Sequence, residues 1–348
     1  MKIAGVGSAF PPHVYHQEQI TEALIDYWGD SLAAPDRLRQ FHSRAGVDVR
    51  HIAFPLDQYA QFKTWGESNR AWLTVSEELG SRAIDAALER AGLMRREIDA
   101  LYVVSVTGIA SPSLDARLTN SMGLRSDIKR TPIFGLGCVG GAIGLVRAAD
   151  YLRAFPDQVA VLLSVEICSL TIQLDDRSNA NMIASGLFAD GAVAALVTGR
   201  GAAEGPEIVH TKSIFYTATE DVMGWEISEK GFRVVLSPKL PQLIRSRFAG
   251  DVDSFLREHG LTRHDIGSWV IHPGGPRILE AVESCLGLCH GELQASWECL
   301  SGCGNLSSGS VLKVLEDVIT RRRPTPGTRG LIAAMGPGFC AELLLVQW

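Results

Sequence analysis

The chain has 348 residues, of which 46% are apolar and 21% charged, an ordinary composition for a globular protein. Its length exceeds what a single hydrophobic core usually supports, which predicts two domains or two similar halves. A formal net charge of -6 without a long basic run argues against nucleic acids and anionic membrane surfaces as partners.

The N-terminal segment MKIAGVGSAFPP is a short apolar run that ends at Pro11 and Pro12. A signal peptide has a longer apolar region and a small-residue cleavage site, so we expect this segment to form the first strand. No apolar run approaches the ~20 residues of a membrane helix, since VAVLLSV ends at Glu166. These features predict a cytoplasmic protein without a membrane span.

A weak internal repeat organises the rest of the chain. Residues 92–104, GLMRREIDALYVV, and residues 260–272, GLTRHDIGSWVIH, share Gly, Leu, Arg and Ile in register. Residues 135–152 and 301–318 are both Gly-rich turns that open into an amphipathic helix. The segments DGAVAALVTG and CAELLLVQW are both strand-like and close the two copies.

The repeat predicts an α/β fold, because near-continuous apolar strands that alternate with helices are typical of covered sheets. We expect an N-terminal half at residues 1–200 and a C-terminal half at residues 201–348. Corresponding loops of the two halves should then meet across a pseudo-dyad. Chance similarity between two α/β segments is the alternative.

Cys138 is a candidate nucleophile in the segment IFGLGCVGG, which is expected to follow a buried strand and begin a helix. Glycines on both sides permit a sharp turn, and a helix N-terminus lowers the pKa of a thiol. The GxSxG signature of serine hydrolases is absent. A buried, inert cysteine is the alternative.

His272 and Asn305 are two further candidates in the C-terminal half. His272 is expected to end a strand in SWVIHPGGP, on the rim where α/β folds present their chemistry. Asn305, in SGCGNLSS, is equally suited to a helix cap or a turn. Taken separately, each residue is consistent with a structural role.

The remaining cysteines invite a zinc hypothesis, because Cys285 and Cys289 precede His290, and Cys299 and Cys303 follow it. Both pairs have CxxxC spacing instead of the tight CxxC of zinc knuckles. Reduced, buried thiols that pack as small apolar side chains are the expected role.

The segments GCVGG, VIHPGGP, GNLSSGSVL and MGPGFCAEL resemble those of the type III polyketide synthases, the chalcone synthase family, over nearly the whole chain. The resemblance implies the thiolase fold, an α/β architecture of two similar halves in five αβαβα layers. It also implies a cytoplasmic homodimer and no cofactor beyond CoA thioester substrates.

The resemblance places the family's catalytic triad on Cys138, His272 and Asn305. Cys138 would take the acyl group of an acyl-CoA starter, and His272 would stabilise its thiolate. Malonyl-CoA would then lose carbon dioxide, and His272 and Asn305 would stabilise the enolate oxygen. The enolate would attack the Cys138 thioester, and the cycle would repeat before the chain cyclises.

The pocket positions implied by the resemblance are Phe188, Thr171, Trp225, Val234, Ser111, Gly336, Pro337 and Gly338. Phe188 matches one of the family's two gatekeeper phenylalanines, and Val234 stands where the second is expected. Trp225 replaces a glycine of the plant enzymes. Ser111 falls where those enzymes insert a Met across the dimer interface.

The CoA phosphates require cations at the mouth of their tunnel. Arg37 and Arg44 match two of the family's three CoA-contacting basic positions, and the third falls at Gln40. A solvated, charged helix face is the alternative interpretation of this segment.

The segments SVTGIASPSLDARL and MGWEISEKGFRVVLSP resemble the bacterial alkylpyrone and alkylresorcinol synthases. This implies a medium- or long-chain fatty acyl starter that is extended by a few malonyl units. A malonyl-only synthase of the tetrahydroxynaphthalene type is the competing hypothesis. A β-ketoacyl-ACP synthase of the type III kind shares the fold, and a cysteine hydrolase or a zinc-linked binding module are more remote alternatives.

Overall fold

A computed structural model describes residues 1–32, 34–201, 203–289 and 291–348. The strands in these ranges are β1 (Lys2–Ala9), β2 (His13–His16), β3 (Val49–Ile52), β4 (Ala100–Val104), β5 (Lys129–Ile133), β6 (Val159–Ile167), β7 (Asp190–Thr198), β8 (Glu207–Phe215), β9 (Met223–Ser228), β10 (Gly231–Leu236), β11 (Ile266–Ile271), β12 (Arg329–Gly336) and β13 (Cys340–Gln347). The α-helices are α1 (Gln17–Trp28), α2 (Pro35–Ser43), α3 (Trp65–Ala91), α4 (Leu114–Ser121), α5 (Gly140–Ala154), α6 (Asn179–Leu187), α7 (Leu240–Glu258), α8 (Pro276–Leu286), α9 (Gln294–Cys303) and α10 (Ser310–Asp317).

The repeated sequence segments fold in the same way. Gly92 and Gly260 both have left-handed backbone angles, with φ of 65° and 69°. Each glycine follows a long helix and leads into a short 3-10 turn, Arg95–Glu97 in one half and Arg263–Asp265 in the other. Those turns lead into β4 and β11. The glycines are needed because a left-handed residue ends each helix.

The main sheet repeats its strand order as well. In the described residues it runs β5-β4-β6-β7-β1 through the first half and β8-β13-β12-β11 through the second. The pairs β4/β6 and β11/β12 are parallel, whereas β6/β7 and β12/β13 are antiparallel. β1 and β8 join the halves through the pair Lys2 and Glu207. Counted outward from the junction of β1 and β8 in the middle of the sheet, the second half thus repeats the strand topology of the first.

The helices complete five layers. α5 contacts β6 and β7 of the first half and β12 and β13 of the second, and α10 also contacts strands of both halves. These two helices form the central layer, and their apolar side chains belong to one buried cluster that includes strands of both halves. α3 covers the outer face of the first half, and α7 and α8 cover that of the second. The expected αβαβα architecture is confirmed, while the boundary at residue 200 stays a prediction.

The strand before Cys138 differs from the expectation. All residues of β6 and β7 are buried, as their continuous apolar runs predict. β5 was expected to be buried too, and this is wrong, because Lys129 to Pro132 are exposed. β5 is an edge strand of the sheet. At such a position, Lys, Arg and Pro side chains disfavour pairing with a strand of another molecule.

The cysteines of the zinc hypothesis do not converge. Cys299 and Cys303 lie one turn apart on α9 with their sulfur atoms 3.7 Å apart, whereas Cys289 is exposed. His290 lies outside the described residues. Among the residues that the structure describes, no three His, Cys, Asp or Glu side chains form a group able to hold a metal ion. Among the same residues, no helix has the length and apolar character needed to cross a membrane.

The packing of β1 on α3 yields a stability prediction. A Cβ atom at Gly7 would lie 2.4 Å from the backbone nitrogen of Ala87 in α3, so Gly7→Ala must push the helix away from the sheet. We expect this variant to lose about 1–3 kcal/mol in the free energy of unfolding, measured by urea denaturation. Gly250→Ala is the matched control, because a Cβ at Gly250 in α7 meets nothing within 4 Å. It should be neutral or stabilise by up to ~1 kcal/mol. Equal stability of Gly7→Ala and wild type would contradict this packing.

Candidate active site

Cys138 lies in a short 3-10 turn, Gly137–Val139, between β5 and α5. The chain enters this turn through Gly135 and Gly137, which have φ of 90° and 52°. Side chains other than glycine are strained at such angles, so the glycines permit the turn. The Cys138 side chain is 6% exposed. The sequence thus places the thiol at a helix start, as predicted, and the fold buries it.

The equivalent turn of the second half, Ser307–Gly309, faces the Cys138 turn. The sulfur of Cys138 lies 3.9 Å from Oγ of Ser307. A Cβ atom at Gly141 would lie 2.2 Å from the Ser308 carbonyl oxygen, so the two backbones meet where no side chain fits. This contact confirms that corresponding loops of the repeat meet.

Asn305 precedes the second turn and is 1% exposed. Its Oδ1 accepts hydrogen bonds from the Ser307 backbone N–H at 2.8 Å and from Ser310 Oγ at 3.2 Å. Since Oδ1 is fixed in this way, the amide nitrogen faces the other direction, where Nδ2 lies 3.5 Å from the Gly274 carbonyl. The turn that holds Asn305 therefore also fixes the direction of the two N–H donors of the Asn305 amide.

His272 directly follows β11, as predicted, and its backbone N–H donates to the Ala333 carbonyl. The side chain is 4% exposed. In the described part of the chain, neither ring nitrogen has a hydrogen-bond partner. Buried polar atoms are normally paired, so the imidazole is free to bind a ligand. Hydrogen bonds link Gly274 both to the His272 carbonyl and to the Asn305 amide. On the other side, Asn305 binds Ser307, whose Oγ contacts the Cys138 sulfur.

Burial controls the charges of this site. It raises the pKa of the Cys138 thiol to about 12, although Ser307 and Asn305 act to lower it. It also lowers the pKa of His272 to about 3. The expectation that the helix N-terminus lowers the thiol pKa is therefore wrong for the thiol alone, because desolvation outweighs the dipole. Thiolate and imidazolium are compatible with this site only as a pair that compensates both charges.

Glu166, at the inner end of β6, is a buried acid that sequence reasoning missed. Its Oε2 accepts hydrogen bonds from the Val106 N–H at 3.0 Å and from Thr107 Oγ1 at 2.9 Å. Its Oε1 accepts the Ser308 hydroxyl at 2.5 Å. Burial raises the pKa of Glu166 to about 7. A lone acidic residue that ends the apolar run VAVLLSV was the available signal.

Four of the predicted pocket residues line one cavity of about 110 Å³: Phe188, Thr171, Trp225 and Val234. Trp225 and Val234 are directly opposite each other in the hairpin formed by β9 and β10. The backbone around Phe188 pairs with Asn305, since the Asn305 N–H donates to the Leu187 carbonyl. Phe188 thus connects the cavity wall to Asn305.

A second cavity, of about 500 Å³, adjoins the first and shares Tyr59, Ser169 and Thr171 with it. Its wall is far more polar. The polar and charged side chains that line it are Lys63, Thr64, Ser68, Asn69, Thr107, Gln173, Asp175, Glu229 and Lys230. The two cavities therefore offer an apolar and a polar compartment side by side.

The segment Gly336–Pro337–Gly338 braces the site without lining either cavity. A Cβ at Gly137 would lie 2.6 Å from Pro337, and one at Gly224 in β9 would lie 3.8 Å from it. Pro337 thus supports both the Cys138 turn and the hairpin. Ser111 is exposed in the loop before α4 and lies on the wall of neither cavity, and its role at a dimer interface stays a prediction.

The predicted CoA residues lie on one face of the molecule. Arg37 is exposed on α2, with its guanidinium 5.6 Å above the Phe41 ring, and Arg44 is exposed at the end of that helix. Gly46 packs against Pro276, which follows His272 by four residues. Within the described residues, neither arginine has a carboxylate within 4 Å, so both cations are available to an anion.

The comparisons with known proteins identify the family. Residues 207–348 match the family of chalcone and stilbene synthases, C-terminal domain, and residues 58–213 match the FAE1/type III polyketide synthase-like proteins. A 1,3,6,8-tetrahydroxynaphthalene synthase of Streptomyces peucetius subsp. caesius is 51% identical over 99% of this chain and 93% of its own length. The chain belongs to the type III polyketide synthases.

Other type III polyketide synthases extend the comparison. A 3,5-dihydroxyphenylacetyl-CoA synthase of Streptomyces toyocaensis is 31% identical over 100% of this chain and 90% of its own length. The crystal structure of the 1,3,6,8-tetrahydroxynaphthalene synthase of Streptomyces coelicolor superimposes with a TM-score of 0.95 at 30% identity, covering 100% and 99% of the two chains. The thiolase fold and an acyltransferase-type activity are thereby established. The family decides against a hydrolase or a zinc-linked binding module.

An ion pair between Cys138 and His272 is a prediction, which alkylation of the cysteines can test. With His272 present, paired thiolate should make the iodoacetamide rate of Cys138 level off near neutral pH. In His272→Gln no imidazolium can form, so the pKa of Cys138 should rise towards about 12 and its rate should keep rising with pH.

Peptide mass spectrometry separates the rate of Cys138 from that of Cys289. Because Cys289 is exposed and α8 separates it from His272, its rate serves as the internal control and should be the same in both proteins. Identical pH profiles of Cys138 in wild type and His272→Gln would refute the ion pair.

Proposed function

We propose that this type III polyketide synthase uses malonyl-CoA as both starter and extender and forms a product of the tetrahydroxynaphthalene type. The observation that carries this proposal is the division of the pocket into a small apolar cavity at Trp225 and a large polar one. Two of the similar proteins described above carry the name 1,3,6,8-tetrahydroxynaphthalene synthase, which supports it.

The size and polarity of the cavities favour a polar chain. The apolar cavity of about 110 Å³ is smaller than the roughly 300–1,000 Å³ of pockets for drug-sized ligands. The indole of Trp225 occupies space that a glycine would leave open. A long hydrocarbon would have to enter the polar cavity, where it would displace water from Lys63, Lys230 and their neighbours without replacing the hydrogen bonds. A chain with a ketone on every second carbon can form such bonds.

The first step we propose is the loading of Cys138. Its thiolate, paired with protonated His272, attacks the malonyl-CoA thioester carbonyl, and CoA leaves as a thiol. Arg37 and Arg44 would hold the CoA phosphates beside the loop that follows His272. No cofactor other than the CoA thioesters is proposed.

The second step is decarboxylative condensation. A further malonyl-CoA loses carbon dioxide, and negative charge develops on the thioester oxygen of the resulting enolate. The imidazole N–H of His272 and the amide of Asn305 are the proposed donors to that oxygen, because both are buried and neither is saturated by protein partners. The enolate carbon then attacks the Cys138 thioester and lengthens the chain by two carbons.

The homodimer and the cytoplasmic location stay predictions. The open edge of β5 and the exposed side chains of Ile109 and Phe134 provide a surface on which a second copy of this chain would fit. Ser111 lies in the exposed loop beside Ile109.

A starter-length series tests the malonyl-only proposal. Purified enzyme should convert malonyl-CoA alone into product, and added acyl-CoA starters of increasing length should contribute little. Trp225→Gly should enlarge the apolar cavity and raise the share of product that contains a medium-length acyl starter, while Trp225→Phe should stay close to wild type. Mass analysis of the products measures that share. No product from malonyl-CoA alone, but product with a long acyl starter, supports the fatty acyl alternative instead.

Two variants separate the roles within the triad. Cys138→Ala should abolish acyl loading, detected as the loss of a malonyl- or acetyl-derived adduct by intact mass. Asn305→Ala should load normally but release carbon dioxide from malonyl-CoA about 10²–10³-fold more slowly, the range for loss of an oxyanion donor. An adduct on Cys138→Ala would show that another residue is the nucleophile.

A further inference from the structure

Two hydroxyl groups lie side by side in the wall that the two cavities share. The hydroxyl of Tyr59 and Oγ of Ser169 are 2.6 Å apart, and either can donate to the other. Both residues line the apolar and the polar cavity. Tyr59 Oη also accepts a hydrogen bond from the Phe54 backbone N–H at 3.2 Å, which fixes the phenol in the wall.

A buried carboxylate continues this pair away from the cavity. Oγ of Ser169 lies 2.5 Å from Oδ2 of Asp190, which is completely buried at the start of β7. The backbone N–H groups of Ser169 and Ala53 donate to the two Asp190 oxygens at 2.8 Å and 2.7 Å. Tyr59, Ser169 and Asp190 therefore form one continuous hydrogen-bonded chain from the cavity wall to the core.

Opposing effects act on the ionisation of Asp190. Burial raises the pKa of its carboxyl group to about 6, while the buried guanidinium of Arg50 acts to lower it. Arg50 binds the carbonyls of Ser185 and Phe188, and within the described residues it has no carboxylate within 4 Å. The carboxylate form of Asp190 is thus supported by the field of Arg50 and by two N–H donors, and the protonated form by burial.

The hydrogen-bonded chain can point in either direction. With Asp190 ionised, Tyr59 donates to Ser169 and Ser169 donates to the carboxylate. With Asp190 protonated, its O–H donates to Ser169, Ser169 donates to Tyr59, and the Tyr59 O–H is free to donate into the cavity. Protonation of Asp190 thereby leaves Tyr59 with an O–H that can donate to a ligand in the cavity.

Formation of the proposed product requires a group in the cavity that can give a proton to a ketone oxygen. A fused bicyclic product from one linear chain requires two ring closures, whereas the chain holds a single thioester. At least one closure therefore joins a methylene carbon to a carbonyl that is not attached to Cys138. The oxygen of that carbonyl takes up a proton, and the cavity wall is where this must happen because the chain extends there.

We propose that Tyr59 is a further catalytic residue, which binds a ketone oxygen of the growing chain and exchanges a proton with it, and that Ser169 and Asp190 are positioning residues that relay this proton. The proposal rests on the proposed function, and it adds a second chemical centre that acts in cyclisation and not in condensation.

The protons balance over one closure. When the nucleophilic methylene enolises, its proton goes to Tyr59, the Tyr59 proton goes to Ser169, and the Ser169 proton goes to the Asp190 carboxylate. When the new carbon–carbon bond forms, the ketone carbon–oxygen double bond opens, and the oxygen takes a proton from Tyr59. The Asp190 proton returns through Ser169 to replace it. Nothing is oxidised or reduced, and the relay ends as it began.

The experiment compares carbon dioxide release with product identity for purified enzyme given malonyl-CoA. Tyr59→Phe should release carbon dioxide within about twofold of wild type, whereas the ratio of aromatic product to uncyclised or lactone products should fall at least about tenfold, as for loss of a general acid. Ser169→Ala should give the same change, and Ser169→Thr, which keeps a hydroxyl, should restore the ratio. Tyr151→Phe is the matched control, since its hydroxyl binds Gln158 at the far end of α5.

Each outcome is decisive. An unchanged product ratio in Tyr59→Phe overturns the relay. If Ser169→Thr fails to restore the ratio while its thermal unfolding matches wild type, the hydroxyl chain is refuted even should Tyr59→Phe fold poorly. A parallel fall in carbon dioxide release and in aromatic product refutes a role confined to cyclisation. A wild-type enzyme that releases no carbon dioxide from malonyl-CoA overturns the proposed function itself.

Discussion

The contact between the turns Gly137–Val139 and Ser307–Gly309 is the constraint on which the active site depends. It brings two backbones to a separation that only glycine at position 141 allows. Because each turn begins a central helix, the contact is fixed by the packing of α5 and α10 between the two halves. Cys138 comes from one turn, and Ser307, which holds the side chain of Asn305, comes from the other. A duplicated fold thus builds one asymmetric site from two similar parts.

Burial then sets the chemistry of that site. Cys138, His272 and Glu166 are all withdrawn from water, which disfavours isolated charge on each of them. In such surroundings, hydrogen bonds and ion pairs gain strength, and a reactive chain is kept from hydrolysis. The same desolvation applies to Asp190, so the thioester chemistry and the proposed proton relay follow the same principle at two places. The polar cavity beside Tyr59 and Ser169 suits an intermediate that is itself polar.

Much of this arrangement was predictable from local sequence. The repeat of residues 92–104 and 260–272 predicted the duplication, since glycine helix ends and apolar strands are local features. The positions of Cys138 at a helix start and His272 at a strand end followed in the same way. The burial of β5 was predicted wrongly, because the apolar end of that segment, Ile133 and Phe134, suggested a core strand. Whether a strand lies at the edge of a sheet is decided by tertiary packing.

The residues that sequence reasoning missed are those joined over long separations. Tyr59 and Ser169 are 110 positions apart, and Glu166 and Ser308 are 142 apart. No periodicity or spacing connects such residues, and a serine or tyrosine in a turn is unremarkable by itself. The pKa of Cys138 was misjudged for a similar reason, because the dipole of a helix is visible in a sequence pattern whereas the extent of desolvation is not.

The hairpin of β9 and β10 has a consequence for which parts of the pocket can change independently of the main sheet. In the described residues its two strands pair with each other and not with the main sheet, yet they carry Trp225 and Val234 into the cavity. Substitutions of Trp225 or Val234 can therefore reshape the cavity while the pairing of the main sheet is retained.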